Sequence, residues 1–376
     1  MHPGRCTNMG SCGDLRKMRL HTFLTLCIVL GIIASLSGCT NTFFSQPTTY
    51  VTHPVQIQYA LRYGYYVNLT GNERYEVQYT SDLPEVLIGT SPYTILNTTG
   101  MTQGERANNT VVTWNLTGKN PQRYVLGLRT EVNAQTYLFP DLMGKDAMSL
   151  AQLHTTAEDY VHRYTRVQGN ETIRYIDPAD PQIKAIADSV LNTSSTNAFL
   201  LAKALFTWLK ENVHYQTHAA EGVQPAALTL SLKAGDCDDL SFLYISLCRA
   251  VGVPARFIRG YLITDTPSVQ AVAHAWVEVF IGTGVGIGGW IPVETSCITN
   301  SVQTDIEQNF GIEDCFHLRV FQDMGNNDSL SAALSGIVFT ENVEPPVSFA
   351  IVQDYQVVSS KQLVVNTDGT RSLQSA

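Results

Sequence analysis

Between Gly235 and Val293 the apolar residues change period, and that change limits the fold more than any other feature of the chain. Leu240, Leu243, Tyr244, Leu247, Cys248 and Val251 recur at the spacing of one helical face. Asp236 is the predicted N-cap, with Asp239 three positions later, and Gly252 and Pro254 close the helix. "ARFIRGYLI" then reads as a strand. "VAHAWVEVFI" alternates strictly, with His274, Trp276 and Glu278 on one face and Ala275, Val277 and Val279 on the other. A glycine-rich stretch, "GTGVGIGG", leads to "WIPVET", where Trp290, Pro292 and Glu294 share a face. The stretch therefore reads as a helix followed by neighbouring strands joined by a hairpin-like turn.

The same stretch carries chemistry. Cys237 falls in the first helical turn, where the positive end of the helix dipole lowers a thiol pKa. Asp236, Asp238 and Asp239 act the other way, because like charge disfavours a thiolate. They are read as caps and solvated groups rather than ligands. Adjacent strands would set His274 beside Glu294, so the order nucleophile, histidine, carboxylate suits a Cys–His–carboxylate triad. Glu278, four residues from His274 on the same strand face, lies roughly 13 Å along the strand and is too far to be the partner. The bland readings are a buried structural thiol, a sheet histidine and an edge carboxylate. Trp276 and Trp290 are read as packing, and His317, in "EDCFHL", as non-catalytic. There is no EF-hand pattern and no paired Cys/His spacing, so neither a metal nor a cofactor is expected.

The segment "GDCDDLSFLYISLCRAVGVPARFIRGY…HAWVEVF…GWIPVET" resembles the transglutaminase-like core. The resemblance covers roughly residues 183–300, and four short motifs occur in order. It implies a papain-like α+β fold, Cys237 as nucleophile and His274 as its base. The family usually has an aspartate where this chain has Glu294. The function implied is a thiol acyl-transfer enzyme, an amidohydrolase or peptidase working through an acyl-enzyme on a protein or peptide at the cell surface. A cross-linking transamidase is the alternative within that chemistry, and a catalytically silent adhesion or assembly module the alternative outside it.

The rest of the chain supplies the setting. The 376 residues allow two or three domains, and a net charge of −9 argues against a nucleic-acid partner. Arg16, Lys17 and Arg19 precede the apolar run "LHTFLTLCIVLGIIASL" and then "LSGCT". That order predicts a signal peptide over residues 1–38 with a lipobox-like end, the alternative being an uncleaved transmembrane anchor, for which the apolar run is near the short end. With the signal peptide cleaved, Cys39 is the lipidated residue and holds the protein on the outer face of the cytoplasmic membrane. Met9 and Met18 are alternative starts. Seven N-x-S/T triplets, at Asn68, Asn97, Asn108, Asn115, Asn170, Asn192 and Asn327, suit an extracytoplasmic surface, and an archaeal or eukaryotic host could glycosylate them.

Residues 39–54 read as a tether. Alternating β-branched and aromatic runs over 55–140 predict an antiparallel, sandwich-like domain. Residues 141–182 read as a helical linker, 183–300 as the core, 301–365 as its C-terminal extension and 366–376 as a frayed tail. Cys297 and Cys315 are a candidate disulfide closing a short loop.

Overall fold

A computed structural model of the chain describes residues 46–376, except 107–108, 154–156, 169–170, 218–221, 328–329 and 331–335. The predicted leader, Cys39 and Asn108, together with Asn170, fall outside the described residues. Pro47–Ala376 form a single compact unit. The fold is α+β with antiparallel sheets, and the N-terminal part is sheet-rich.

Four long strands open the chain: β1 (His53–Leu69), β2 (Tyr75–Asp82), β3 (Asn109–Gly118) and β4 (Gln122–Gln135). β1 pairs with β4 from Gln56↔Gln135 to Leu69↔Gln122. β2 pairs with β3 in a second sheet. Period-2 alternation turns Ile57, Tyr59, Leu61 and Tyr63 of β1 inward, onto the same core as Val112, Trp114 and Leu116 of β3. Two sheets closed over one apolar layer form a sandwich.

The segment read as a helical linker is mostly not helical. Among its described residues it has only a four-residue helix, Leu150–Leu153, and a short 3-10 turn, Glu158–Val161. A hairpin of Tyr164–Gln168 with Glu171–Ile176 follows. Its β-branched residues, Thr165, Val167, Thr172 and Ile173, favour the pleated conformation. Tyr164, Tyr175 and Ile176 carry it into the core.

Three longer helices come next, α1 (Pro181–Thr193), α2 (Ala198–Asn212) and α3 (Cys237–Ala250), with a seven-residue helix, Ala226–Leu232, before the last. Asp180 caps α1 by accepting from the N–H groups of Gln182 and Ile183, and Asn197 caps α2 by accepting from Leu200. α3 is buried on nearly all sides, from Asp239 to Arg249. Its polar groups are therefore paired internally. Ser246 Oγ donates to Phe242 O and accepts from Asp177 N, and Arg249 binds Ala255 O, His162 O and Asp323.

α3 packs on a four-stranded sheet. Its strands β5 (Ala255–Thr264), β6 (Gln270–Phe280) and β7 (Trp290–Val293) run consecutively. The short helix α4 (Val302–Asn309) leads to the fourth strand, β8 (His317–Gln322), on the far side of β5. The β6–β7 loop needs its glycines. Gly289 has φ +98°, and a Cβ there would meet the Phe280 ring at 2.0 Å.

The C-terminal segment does not extend the core alone. β9 (Val347–Val365) pairs with β1 of the N-terminal sheet from Lys361↔His53 to Val347↔Tyr66. The sandwich is thus completed by residues nearly 300 positions from its first strand. Residues 366–376, expected to fray, contain β10 (Arg371–Gln374), paired with β9. The buried Arg371 guanidinium donates to the carbonyls of Glu307, Phe139 and Phe310. The candidate disulfide is absent: Cys297 and Cys315 are both free thiols. Cys315 is buried and its Sγ lies 3.5 Å from Pro54 O, whereas Cys297 is exposed.

Candidate active site

The site is built where α3 starts against β6. α3 begins at Cys237, with Asp236 as N-cap. Asp239 Oδ2 accepts from Asp236 N at 3.1 Å, the return half of a capping box. Asp239 also accepts from the backbone and side chain of Gln224, at 2.7 and 2.6 Å, and so pins the preceding loop to the helix start. The backbone N–H of Ala275, the residue after His274, acts on the Cys237 thiol in favour of the thiolate. α3 packs on β6.

His274 and Glu294 come together as expected. β7 pairs with β6 at Val277↔Val293, so the chain leaves β7 at Glu294 alongside the first half of β6. His274 Nε2 and Glu294 Oε2 are 2.7 Å apart. Glu278 is not a partner: it is buried in an ion-pair cluster with Arg256 and Arg319. Trp290 is core packing, under the Arg256 guanidinium at 4.1 Å. Trp276 stacks on the His274 ring with centroids 5.8 Å apart, and its Nε1 donates to Glu313.

Several residues at the site had no signal in the sequence reading. Ser296 donates its N–H and its hydroxyl to Glu294 Oε1, at 2.8 and 2.6 Å. His317, read as remote from catalysis, is 3.2 Å from Glu294 Oε2 through Nε2 and 2.7 Å from Asp314 Oδ1 through Nδ1. Lys210 donates to the carbonyls of Thr295 and Cys297, holding the turn that carries Glu294. The i,i+3 spacing of Asp314 and His317 accounts for their contact with each other and does not point to Glu294.

Electrostatics follow from this packing. Burial works to raise Glu294, but the His274 and His317 rings outweigh it and hold the carboxyl well below the usual range. Glu294 is therefore an ionised acceptor, which places the His274 proton on Nε2 and leaves Nδ1 as the basic nitrogen. Burial, then the carboxylates of Asp238 and Asp236, push the Cys237 thiol up to about 12. The resting thiol is neutral. Burial likewise pushes Asp238 up to about 6, against the pull of Arg259.

His274, Glu294 and His317 also place three donor atoms within 4.8 Å of one another, a grouping that no local spacing could reveal. Both Nε2 atoms already rest on one carboxylate oxygen at hydrogen-bond distance. We read the cluster as a network of shared protons.

Residues 184–295 match the family model described as the transglutaminase-like superfamily. An alignment 115 positions long, covering 27% of this chain, is 30% identical to the uncharacterized protein YebA of Bacillus subtilis (strain 168) and spans only 15% of that protein. Among solved structures, a "Putative Cysteine Protease" from Cytophaga hutchinsonii aligns over 86% of this chain and 99% of its own, at 14% identity and TM-score 0.48. The periplasmic domain of TgpA from Pseudomonas aeruginosa aligns over 67% and 93%, at 13% identity and TM-score 0.32.

Proposed function

From a chain in which residues 184–295 form a transglutaminase-like domain, we propose a thiol acyl-transfer enzyme with Cys237 as nucleophile, His274 as base and Glu294 as orienting carboxylate. The observation that carries this reading is the 2.7 Å His274–Glu294 contact, made from the strand against which the helix starting at Cys237 packs.

The reaction begins from the neutral thiol. Cys237 Sγ attacks the carbonyl carbon of an amide while its proton passes to His274 Nδ1. Ionised Glu294 keeps Nε2–H in place and stabilises the imidazolium that forms. Negative charge gathers on the carbonyl oxygen, and the Cys237 backbone N–H, in the first turn of α3, is the donor we assign to it. His274 then returns its proton to the leaving amine, the C–N bond breaks and a thioester remains. Water resolves the thioester in the hydrolytic reading, giving an amidohydrolase or peptidase. An amine in place of water would make a new amide and a cross-link.

The setting we assign is the outer face of the cytoplasmic membrane, with a peptide or protein substrate there and Cys39 as the lipid-bearing residue. Its support is the order of basic, apolar and lipobox-like segments over residues 16–40. Among the described residues no helix is long and apolar enough to cross a membrane. Mass spectrometry of the mature N-terminus tests this, and an unmodified residue 39 in a cytoplasmic protein would sink it.

The catalytic reading is tested with a peptide-amide library, with and without an amine acceptor. The expected results are an acyl adduct on Cys237 in the wild type and no turnover by Cys237→Ala or His274→Ala. Turnover by Cys237→Ala at the wild-type rate would overturn it.

A further inference from the structure

We propose that His317 is a positioning residue for the triad: clamped between Asp314 and Glu294, it fixes the Glu294 carboxylate and offsets its charge, so that Glu294 can orient His274. This rests on the catalytic reading above.

The geometry carries it. Glu294 has four lone-pair sites and all four are met. Oε1 accepts from Ser296 N and Ser296 Oγ, and Oε2 accepts from His274 Nε2 and His317 Nε2. A carboxylate so saturated has one orientation. His317 in turn faces a carboxylate oxygen through each ring nitrogen, at 2.7 and 3.2 Å. Ionised carboxylates only accept, so both nitrogens must donate and the ring is an imidazolium. Burial opposes that charge, but Asp314 and Glu294 outweigh burial and hold the ring proton well above the usual range.

The ring is also held in place. Trp276 meets His317 edge-on at 4.7 Å and stacks on His274, so one indole touches both imidazoles, whose own centroids lie 5.6 Å apart. Trp276 is itself fixed by Glu313 at 2.8 Å. His317 lies on β8 opposite Leu262 of β5, so the clamp comes from the far side of the sheet and not from the hairpin that carries His274 and Glu294.

A cation here has a chemical purpose. An uncompensated Glu294 would bind the His274 imidazolium so firmly that returning its proton to the leaving amine would be slow. It would also push the thiol further up, since Glu294 already acts on Cys237 in that direction. The other charged and titratable groups facing the pair are Lys210, Cys297 and Asp305 beside Glu294. Asp236, Asp238, Arg259 and Tyr215 surround Cys237. None of these is placed by the structure between the two histidines.

Two substitutions separate hydrogen bond from charge. His317→Gln keeps an N–H for Glu294 and loses the charge; His317→Leu loses both. The readouts are kcat and KM, and the pH profile of Cys237 alkylation by iodoacetamide, followed by mass on the Cys237 peptide. Both variants should move the alkylation profile to higher pH, by about one unit. kcat should fall about tenfold in His317→Gln and about a hundredfold in His317→Leu, with KM held within about twofold. Two folded variants alkylated along the wild-type profile, with equal losses of kcat, would reduce His317 to packing and overturn the proposal. If His274→Ala itself leaves the alkylation profile unchanged, it is the catalytic reading beneath that has failed.

Discussion

The backbone N–H of Ala275, the residue next to the histidine, favours the thiolate of Cys237, but burial and the carboxylates of Asp238 and Asp236 outweigh it. Asp238 is charged above about pH 6 and repels the thiolate across the working range. Asp238→Asn removes that repulsion at every pH. Alkylation of Cys237 at pH 8 should then rise several-fold, up to about tenfold for one unit of pKa. An unchanged alkylation profile would mean that the aspartate is screened from the thiol.

Glu294 accepts from two histidines and a serine, which a neutral amide cannot reproduce. Glu294→Gln should retain the fold and lose about a hundredfold or more in kcat. Glu294→Asp keeps the charge but is one methylene shorter, and should hold a measurable part of the rate. Wild-type turnover by Glu294→Ala would demote the residue and leave a Cys–His dyad.

The ion-pair cluster behind the site predicts acid sensitivity. Burial works to raise Glu278, but Arg319 and Arg256, at 2.6 and 2.5 Å, pull it from 4.5 down to about 2. A depressed carboxyl contributes stability that is fully present above pH 4.5 and is lost as pH falls towards 2. That shift corresponds to about 3 kcal/mol. Urea midpoints between pH 2 and 7 should fall more steeply for the wild type than for Glu278→Gln. Parallel curves would contradict this account.

Arg371 serves three carbonyls, those of Glu307, Phe139 and Phe310. Arg371→Met fills similar space and leaves them unserved. It should cost about 3 kcal/mol or more, since buried acceptors without donors carry their full desolvation penalty. Activity should fall too, because Asn309 O, next to Phe310, receives the Glu294 N–H at 3.0 Å. A melting temperature within a degree of wild type would refute the role given to Arg371.

What the sequence disclosed was local. The capping box around Cys237 and the pairing of His274 with Glu294 are set by period and by the register of neighbouring strands, and both could be read directly. Asp314 and His317 reach the site through β8, whose place beside β5 follows from tertiary packing and leaves no mark in the spacing. The hairpin over Tyr164–Ile176 was mistaken for helix because its apolar spacing fits both periods, while its β-branched residues decide for the strand. The pairing of β9 with β1 was illegible for the same reason as β8: nothing in either run names its partner.

That pairing has a consequence for biosynthesis. β1 is among the first described residues to be made, yet one of its long neighbours is β9, and Arg371 follows later still. The carbonyls that Arg371 secures belong to the segment on which Glu294 leans. While residues 347–374 are still being translated, the first sheet has an open edge and the carboxylate lacks its support. The setting of Glu294, and with it the His274 contact, is therefore complete only when the last strand of the chain is in place.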